Sequence, residues 1–118
     1  MDIQILASGS SGNCYRVDDG YTPLLLDCGI GYRAIQTKLN FGVRHLKGCL
    51  LTHEHGDHAR AIKEVLRANV KVYLSQGTLD ALQLEYRHSY MARVIKAQEP
   101  FVIGTWRVLP FQTEHDAA

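Results

Sequence analysis

The stretch Thr52-His53-Glu54-His55-Gly56-Asp57-His58 sets three imidazoles and the Asp57 carboxylate within six residues. It follows the apolar run Cys49-Leu50-Leu51, and residues 47–52 read as the end of a buried strand. In extended backbone, residues two apart point the same way, so His53 and His55 aim at one point. Gly56 has no Cβ and permits a sharp turn. From Asp57 the spacing of Ala61, Ile62, Val65, Leu66 and Asn69 predicts a helix. Asp57 then stands in its first turn, where the helix dipole favours negative charge. Asp57 and His58 thus face the space that His53 and His55 already face.

Neutral imidazole and carboxylate suit zinc first, with manganese or iron as alternatives, and no thiolate stands in the motif to bias the choice. Consecutive ligands diverge in direction, so four of them suit two adjacent ions better than one. The expected partition gives His53 and His55 to the first ion and Asp57 and His58 to the second. Ions about 3.5–4 Å apart are the recurring device of hydrolysis. The bland alternative, a histidine-rich solvated turn, has no use for the strand before it or the helix after it.

Composition sets the frame. A chain of 118 residues, 46% hydrophobic and 21% charged, predicts one soluble globular domain with a modest core. A formal charge of +1 argues neither for nor against a nucleic-acid partner. No twenty-residue apolar span predicts a membrane helix, and no basic segment followed by an apolar one marks the start for export, so a cytoplasmic protein is expected. Cys14, Cys28 and Cys49 lie far apart and odd in number, which favours reduced, packed thiols.

Taken in order, residues 2–6 predict a strand, 7–13 a loop of small residues, and 14–17 a second strand. The loop carries Ser10, Ser11 and Asn13. It reads first as a plain turn, and secondly as a place where backbone N–H groups meet a phosphate. Residues 22–26 predict a third strand with Leu24, Leu25 and Leu26 as its buried part, ending on Asp27. A carboxylate there either braces the loop or orients a metal-bound histidine, and the two roles are compatible. Residues 32–39 fit a helix closed near Asn40 or Gly42. His45 stands alone and reads as a surface or packing residue.

Beyond the motif, residues 70–74 predict a strand and Ser75 an N-cap for a helix over 78–84. Residues 85–93 read as an amphipathic connection, with a substrate entrance as the alternative. Short strands are expected at 94–97, 101–103 and 105–111. His115 lies just beyond the last of these, as His53 lies beyond its own strand. It is the candidate third histidine for the first ion.

These residues resemble the metallo-β-lactamase fold superfamily. Its H-x-H-x-D-H signature is met by His53, His55, Asp57 and His58, its strand-end aspartate by Asp27, and its next histidine by His115. The opening Leu6-Ala7-Ser8-Gly9-Ser10-Ser11-Gly12-Asn13-Cys14, the step Leu26-Asp27-Cys28-Gly29 and the run Glu114-His115-Asp116-Ala117 resemble the YycJ/WalJ branch of bacteria and phages, taken to be nucleases. The resemblance implies an α/β protein, an αββα four-layer sandwich of two halves with two divalent metal ions at one edge. His53, His55 and His115 would hold the first ion and Asp57 and His58 the second. Asp57 would also orient the attacking water, and Asp27 would support the site from beneath.

In that superfamily a bridging aspartate and a final histidine lie well downstream of the third motif. Residues 1–118 are therefore expected to form the N-terminal portion of the fold, with the second metal site incomplete and an apolar sheet face open to a missing half or to a second copy. The activity implied is metal-dependent hydrolysis, with DNA phosphodiesters as substrate. Thioester, lactone or lactam hydrolysis is the alternative on the same fold, and a non-catalytic, metal-stabilised binding or assembly module is the third reading.

Overall fold

A computed structural model of the protein describes residues 1–112. Three strands open the chain as an antiparallel meander: β1 (Asp2–Ala7), β2 (Cys14–Asp18) and β3 (Pro23–Leu26). The helix α1 (Tyr32–Lys38) and a 3-10 turn (Val43–His45) then lead to β4 (Gly48–Leu50). Two short helices, α2 (Gly56–Ala59) and α3 (Ile62–Arg67), lead to β5 (Val72–Ser75). Another pair, α4 (Gln76–Leu82) and α5 (Tyr86–Ser89), leads to β6 (Ala92–Ile95). A hairpin of β7 (Phe101–Ile103) and β8 (Trp106–Val108) ends the described chain.

The first six strands form one sheet in the order β1-β2-β3-β4-β5-β6, with β3 to β6 parallel. Parallel neighbours need crossovers, and crossovers of one hand that step in one direction place their helices on one face. The strand faces follow. Leu25, Cys49, Val72 and Leu74 point at the helices and pack with Ile35, Val65 and Leu66 in the main core. Val17 and Leu24 point the other way, where Ile103 of the hairpin covers them with help from Leu26, Leu50, Tyr73, Phe101 and Trp106. The triplet Leu24-Leu25-Leu26 thus serves both faces of the sheet.

Hydrogen bonds seat the hairpin. Trp106 Nε1 donates to the Thr22 carbonyl at 2.7 Å, Thr105 N donates to Thr22 Oγ1 at 3.0 Å, and the Thr105 hydroxyl donates to Asp19. Gly104 lies at φ +56°, and a Cβ there would collide with Thr22. The hairpin leaves part of its face open. By register Ile5, Tyr15, Leu26, Leu50 and Tyr73 lie in one row. At its β1 end Ile5 is 65% exposed, and Ile3 on the same face is 62% exposed. The expected open apolar face is present at that edge.

The expected elements are present, with shifted limits. The helix expected from Asp57 onward is two helices. An unbroken helix would donate Ala61 N to the Asp57 carbonyl and Ile62 N to that of His58. Both acceptors are taken by other parts of the chain: Asn13 N donates to Asp57 O and Cys28 N to His58 O, each at 2.8 Å. Ala61 N turns instead to the Cys28 carbonyl at 2.9 Å, and the helix breaks. Ser75 is the expected N-cap, its Oγ accepting from Thr78 N, although the helix starts at Gln76. The connection 85–93 contains α5, and the following strand starts at Ala92 rather than Val94. His45 is an exposed residue of the 3-10 turn.

Candidate metal centre

The site gathers at the carboxyl ends of β3 and β4, where a parallel sheet leaves room for loops. Asp27 follows β3 with φ +59°, a left-handed conformation that Asp tolerates better than most residues. Its amide donates to the Leu50 carbonyl at 2.9 Å, which ties it to β4. Its buried carboxylate is therefore aimed at the residues that leave β4.

There it does three things. It accepts from Thr52 N at 2.8 Å. The Thr52 hydroxyl lies 3.1 and 3.0 Å from its two oxygens and gives them its proton. His58 Nδ1 lies 2.6 Å from Oδ2. A neutral His58 that donates from Nδ1 keeps the Nε2 lone pair free. Thr52 extends the same logic to His53, whose Nδ1 lies 3.0 Å from Oγ1. Since the hydroxyl proton goes to Asp27, Oγ1 accepts from His53 Nδ1, and His53 Nε2 is left free as well. One buried carboxylate fixes both tautomers.

The donor atoms of His53, Asp57 and His58 lie within 4.8 Å of one another. The His53 and His58 rings are 3.8 Å apart between centroids, and His58 Nε2 is 3.4 Å from Asp57 Oδ2. His55 sets its ring edge-on to His53 at 5.1 Å, as two strand-end residues two apart should. The trio therefore takes one residue from the strand-end pair and two from the helix pair, because the one-turn helix α2 folds Asp57 and His58 back over His53. His115, and Asp116 beside it, lie outside the described residues.

The donor set fits a divalent ion. It offers two imidazoles and a carboxylate, the mixture zinc, manganese and iron accept. Burial, and then the neighbouring His58 ring, hold His53 below its ordinary pKa of 6.5, so it is an unprotonated donor at neutral pH. Glu54 Oε1, between the two histidines in sequence, is buried without a hydrogen-bond partner among the described residues. Negative charge held in the ligand loop favours a cation beside it.

The loop expected to be a turn or a phosphate contact has a third role. Asn13 grips the metal motif through its own amide and through Nδ2, which donates to the carbonyls of Gly9 at 2.8 Å and Asp57 at 3.2 Å. Gly29 N in turn donates to the Asn13 carbonyl at 2.8 Å. The three segments meet so closely that a Cβ on Gly29 would overlap the Asp57 carbonyl, and one on Gly12 would come 2.7 Å from the Gly29 carbonyl. Ser10 and Ser11 are exposed at the loop's tip. The signal for Asn13 was an Asn after a glycine-rich turn, but its partner lies 44 residues away.

Beneath the ligands lie Cys14, Cys28 and Cys49, all fully buried. Burial, then the neighbouring Cys28 thiol and the Asp27 charge, push Cys14 up to about 12. A hydrogen bond with Cys28 and then burial raise Cys49. Cys14 and Cys49 therefore stay protonated, and all three thiols are free and serve as packing, which matches the expectation of reduced cysteines.

Residues 7–113 match the sequence profile of the metallo-beta-lactamase superfamily. The chain belongs to that superfamily. Within it the chain is similar to the exodeoxyribonuclease YycJ of Bacillus anthracis, 27% identical over 130 residues that cover 100% of this chain and 47% of the relative. It is similar also to the exodeoxyribonuclease WalJ of Streptococcus pneumoniae, 28% identical over 124 residues, covering 96% of this chain and 45% of the relative. The resemblance to the YycJ/WalJ branch is borne out. Among solved structures, the metallo-beta-lactamase fold protein YhfI from Bacillus subtilis superposes with a TM-score of 0.70 at 18% identity, over 91% of this chain and 50% of that one. That likeness is one of fold. The chain spans about half the length of the relatives it matches.

Proposed function

We propose that this metallo-β-lactamase-fold chain carries metal ligands of a hydrolase that cleaves phosphodiesters in DNA. The observation that carries the reading is the trio His53, Asp57 and His58, gathered within 4.8 Å, with Asp27 fixing the ring tautomer of His58 and, through Thr52, that of His53. The similarity to exodeoxyribonucleases supports the choice of substrate over a thioester, lactone or lactam.

His53, His55 and His115 are assigned to the first of two divalent ions, zinc in the first place, and Asp57 and His58 to the second. When bound, such ions supply Lewis-acid polarisation of a phosphoryl oxygen and an acidified water. The chain's own residues do the rest. Asp27 holds His58 and, through Thr52, His53, so their free nitrogens need no reorientation when a ligand arrives. Asp57 is the assigned catalytic residue: its carboxylate orients the attacking water and accepts a proton from it. Ser10 and Ser11, at the tip of the loop that Asn13 anchors, are assigned to substrate contact.

Three unpaired buried thiols suit the reducing cytoplasm, where we place the protein. Among the described residues no helix is long and apolar enough to cross a membrane. The exposed Ile3 and Ile5 mark where the rest of a longer protein, or a second copy, would cover the sheet. Gel filtration tests the second copy, which a clean monomer would exclude. The activity is tested on the protein from its natural reading frame, with a labelled DNA duplex beside a chromogenic lactam. Metal-dependent release of nucleotides supports the reading. Turnover of the lactam alone favours the second substrate class. One tightly held ion with no turnover of either favours a metal-stabilised module.

A further inference from the structure

A net charge near zero conceals an uneven distribution. From Cys28 to His53 the chain has no Asp or Glu but carries Arg33, Lys38, Arg44 and Lys47. All of these lie in the helix layer or at the ends of its connections. Residues 54–71 add Arg60, Lys63, Arg67 and Lys71; of the acids there, Glu54 and Asp57 belong to the ligand motif and Glu64 alone lies beyond it.

Topology sorts these cations. The ligands stand at the carboxyl ends of β3 and β4, so each crossover helix begins at the site and runs away from it. Lys47 and Lys71, just before β4 and β5, are at the far end. Arg33, in the first turn of α1, Arg60, just after α2, and Lys63, in the first turn of α3, are at the near end. Arg60 follows His58 by two residues. Its guanidinium lies across Gly31 at the start of α1, 3.7 Å from where a Cβ would stand and two residues before Arg33 in the chain. Arg60 stands just before the break at Ala61, and Lys63 and Arg67, four apart on α3, share the outer stripe of that helix. All four side chains are exposed. Among the described residues none of the four has a carboxylate within 4.0 Å.

Lys63 and Arg67 lie about 6 Å apart along the axis of α3, the axial length of about two phosphates in one strand of a duplex. Cations without a carboxylate partner among the described residues, ranged from beside a hydrolytic centre, fit a phosphate backbone better than a carboxylate peptide, whose charges have no fixed spacing. We infer that Arg33, Arg60, Lys63 and Arg67 form a strip that binds the backbone of a nucleic-acid strand and leads it to the metal site. The inference rests on the nuclease reading for its direction. The strip's charge and spacing are properties of the chain itself.

The test is anisotropy of a labelled oligothymidylate titrated with the protein in EDTA, so that metal and hydrolysis play no part, at several salt concentrations. The double variant Arg60→Gln with Lys63→Gln is set against Lys96→Gln with Arg107→Gln, which removes equal charge from the edge of β6 and from the hairpin. Circular dichroism confirms that both are folded. Each lost phosphate contact lowers the slope of log K against log salt by about 0.7 on a single strand, so the first variant should lose about 1.4 and the second nearly nothing. Equal losses in both, no loss in either, or tighter binding to phosphatidylserine vesicles than to the oligonucleotide would overturn the strip. Hydrolysis of bis(p-nitrophenyl) phosphate, with metal added, by the protein from its natural reading frame tests the nuclease reading separately. Its failure beside an intact difference in slope removes the nuclease reading and leaves the strip standing.

Discussion

Asp27 Oδ2 lies 2.6 Å from His58 Nδ1, across 31 residues of sequence and two neighbouring strands. The contact defines the tautomer of His58 and, through Thr52, that of His53. Asp27→Asn tests it with little disturbance of the backbone, because Asn also tolerates positive φ. The amide replaces an acceptor with a donor, and zinc affinity by calorimetry should fall about 10–100-fold while the melting curve stays cooperative. Unchanged affinity would remove Asp27 from the account.

Gly29 faces the Asp57 carbonyl without room for a methyl group. Gly29→Ala should push α2 away from the β3 loop and disturb the Asn13 and Cys28 bonds together. The expected loss is about 1–3 kcal/mol of stability, read by denaturant titration, with weaker metal binding alongside it. Gly56→Ala is the control, since nothing lies within 4 Å of its Cβ position.

Asp19 holds the hairpin through the Thr105 hydroxyl, the leading cause of its lowered pKa, with the Thr22 amide next. A lowered carboxyl pKa stabilises the folded state above the ordinary value of 3.8, and that contribution is lost as pH falls through the lowered value. The hairpin's anchorage should therefore be complete at neutral pH and weaken only in acid. Asp19→Asn should flatten the acid limb of the stability curve measured between about pH 3 and 7. An unchanged acid limb would contradict the role given to Asp19.

Cys14, Cys28 and Cys49 have no exposed surface, and burial holds Cys14 at about 12. Ellman's reagent at pH 8 should find no reactive thiol in the folded protein and three after unfolding. Rapid native labelling would show that the floor of the site opens.

Much of the site was legible in the sequence because its ligands are local. His53, His55, Asp57 and His58 sit in one turn of chain, and period and spacing suffice to place them at a strand end and a helix start. The bonds that complete the site are not local. Asn13 and Cys28 capture the Asp57 and His58 carbonyls from 44 and 30 residues away, and no periodicity in residues 57–69 reports that theft. The two roles open for Asp27, loop brace and histidine orienter, turn out to be one, since the same carboxylate meets Thr52 N and His58 Nδ1. The helix α5 was hidden because its four residues bury only His88 and show no amphipathic stripe. The basic strip was hidden because a formal charge of +1 sums over faces that the fold keeps apart.

The central claim is that the side chains gathered at His53, Asp57 and His58 hold divalent cations. Metal content of the dialysed protein, measured by atomic emission beside its His53→Ala variant, tests it most directly. The account predicts at least one divalent ion per chain in the parent, and loss of most of it in the variant with the circular dichroism spectrum unchanged. Equal loading of the two proteins, or a parent that binds no divalent ion at micromolar concentration, would contradict it.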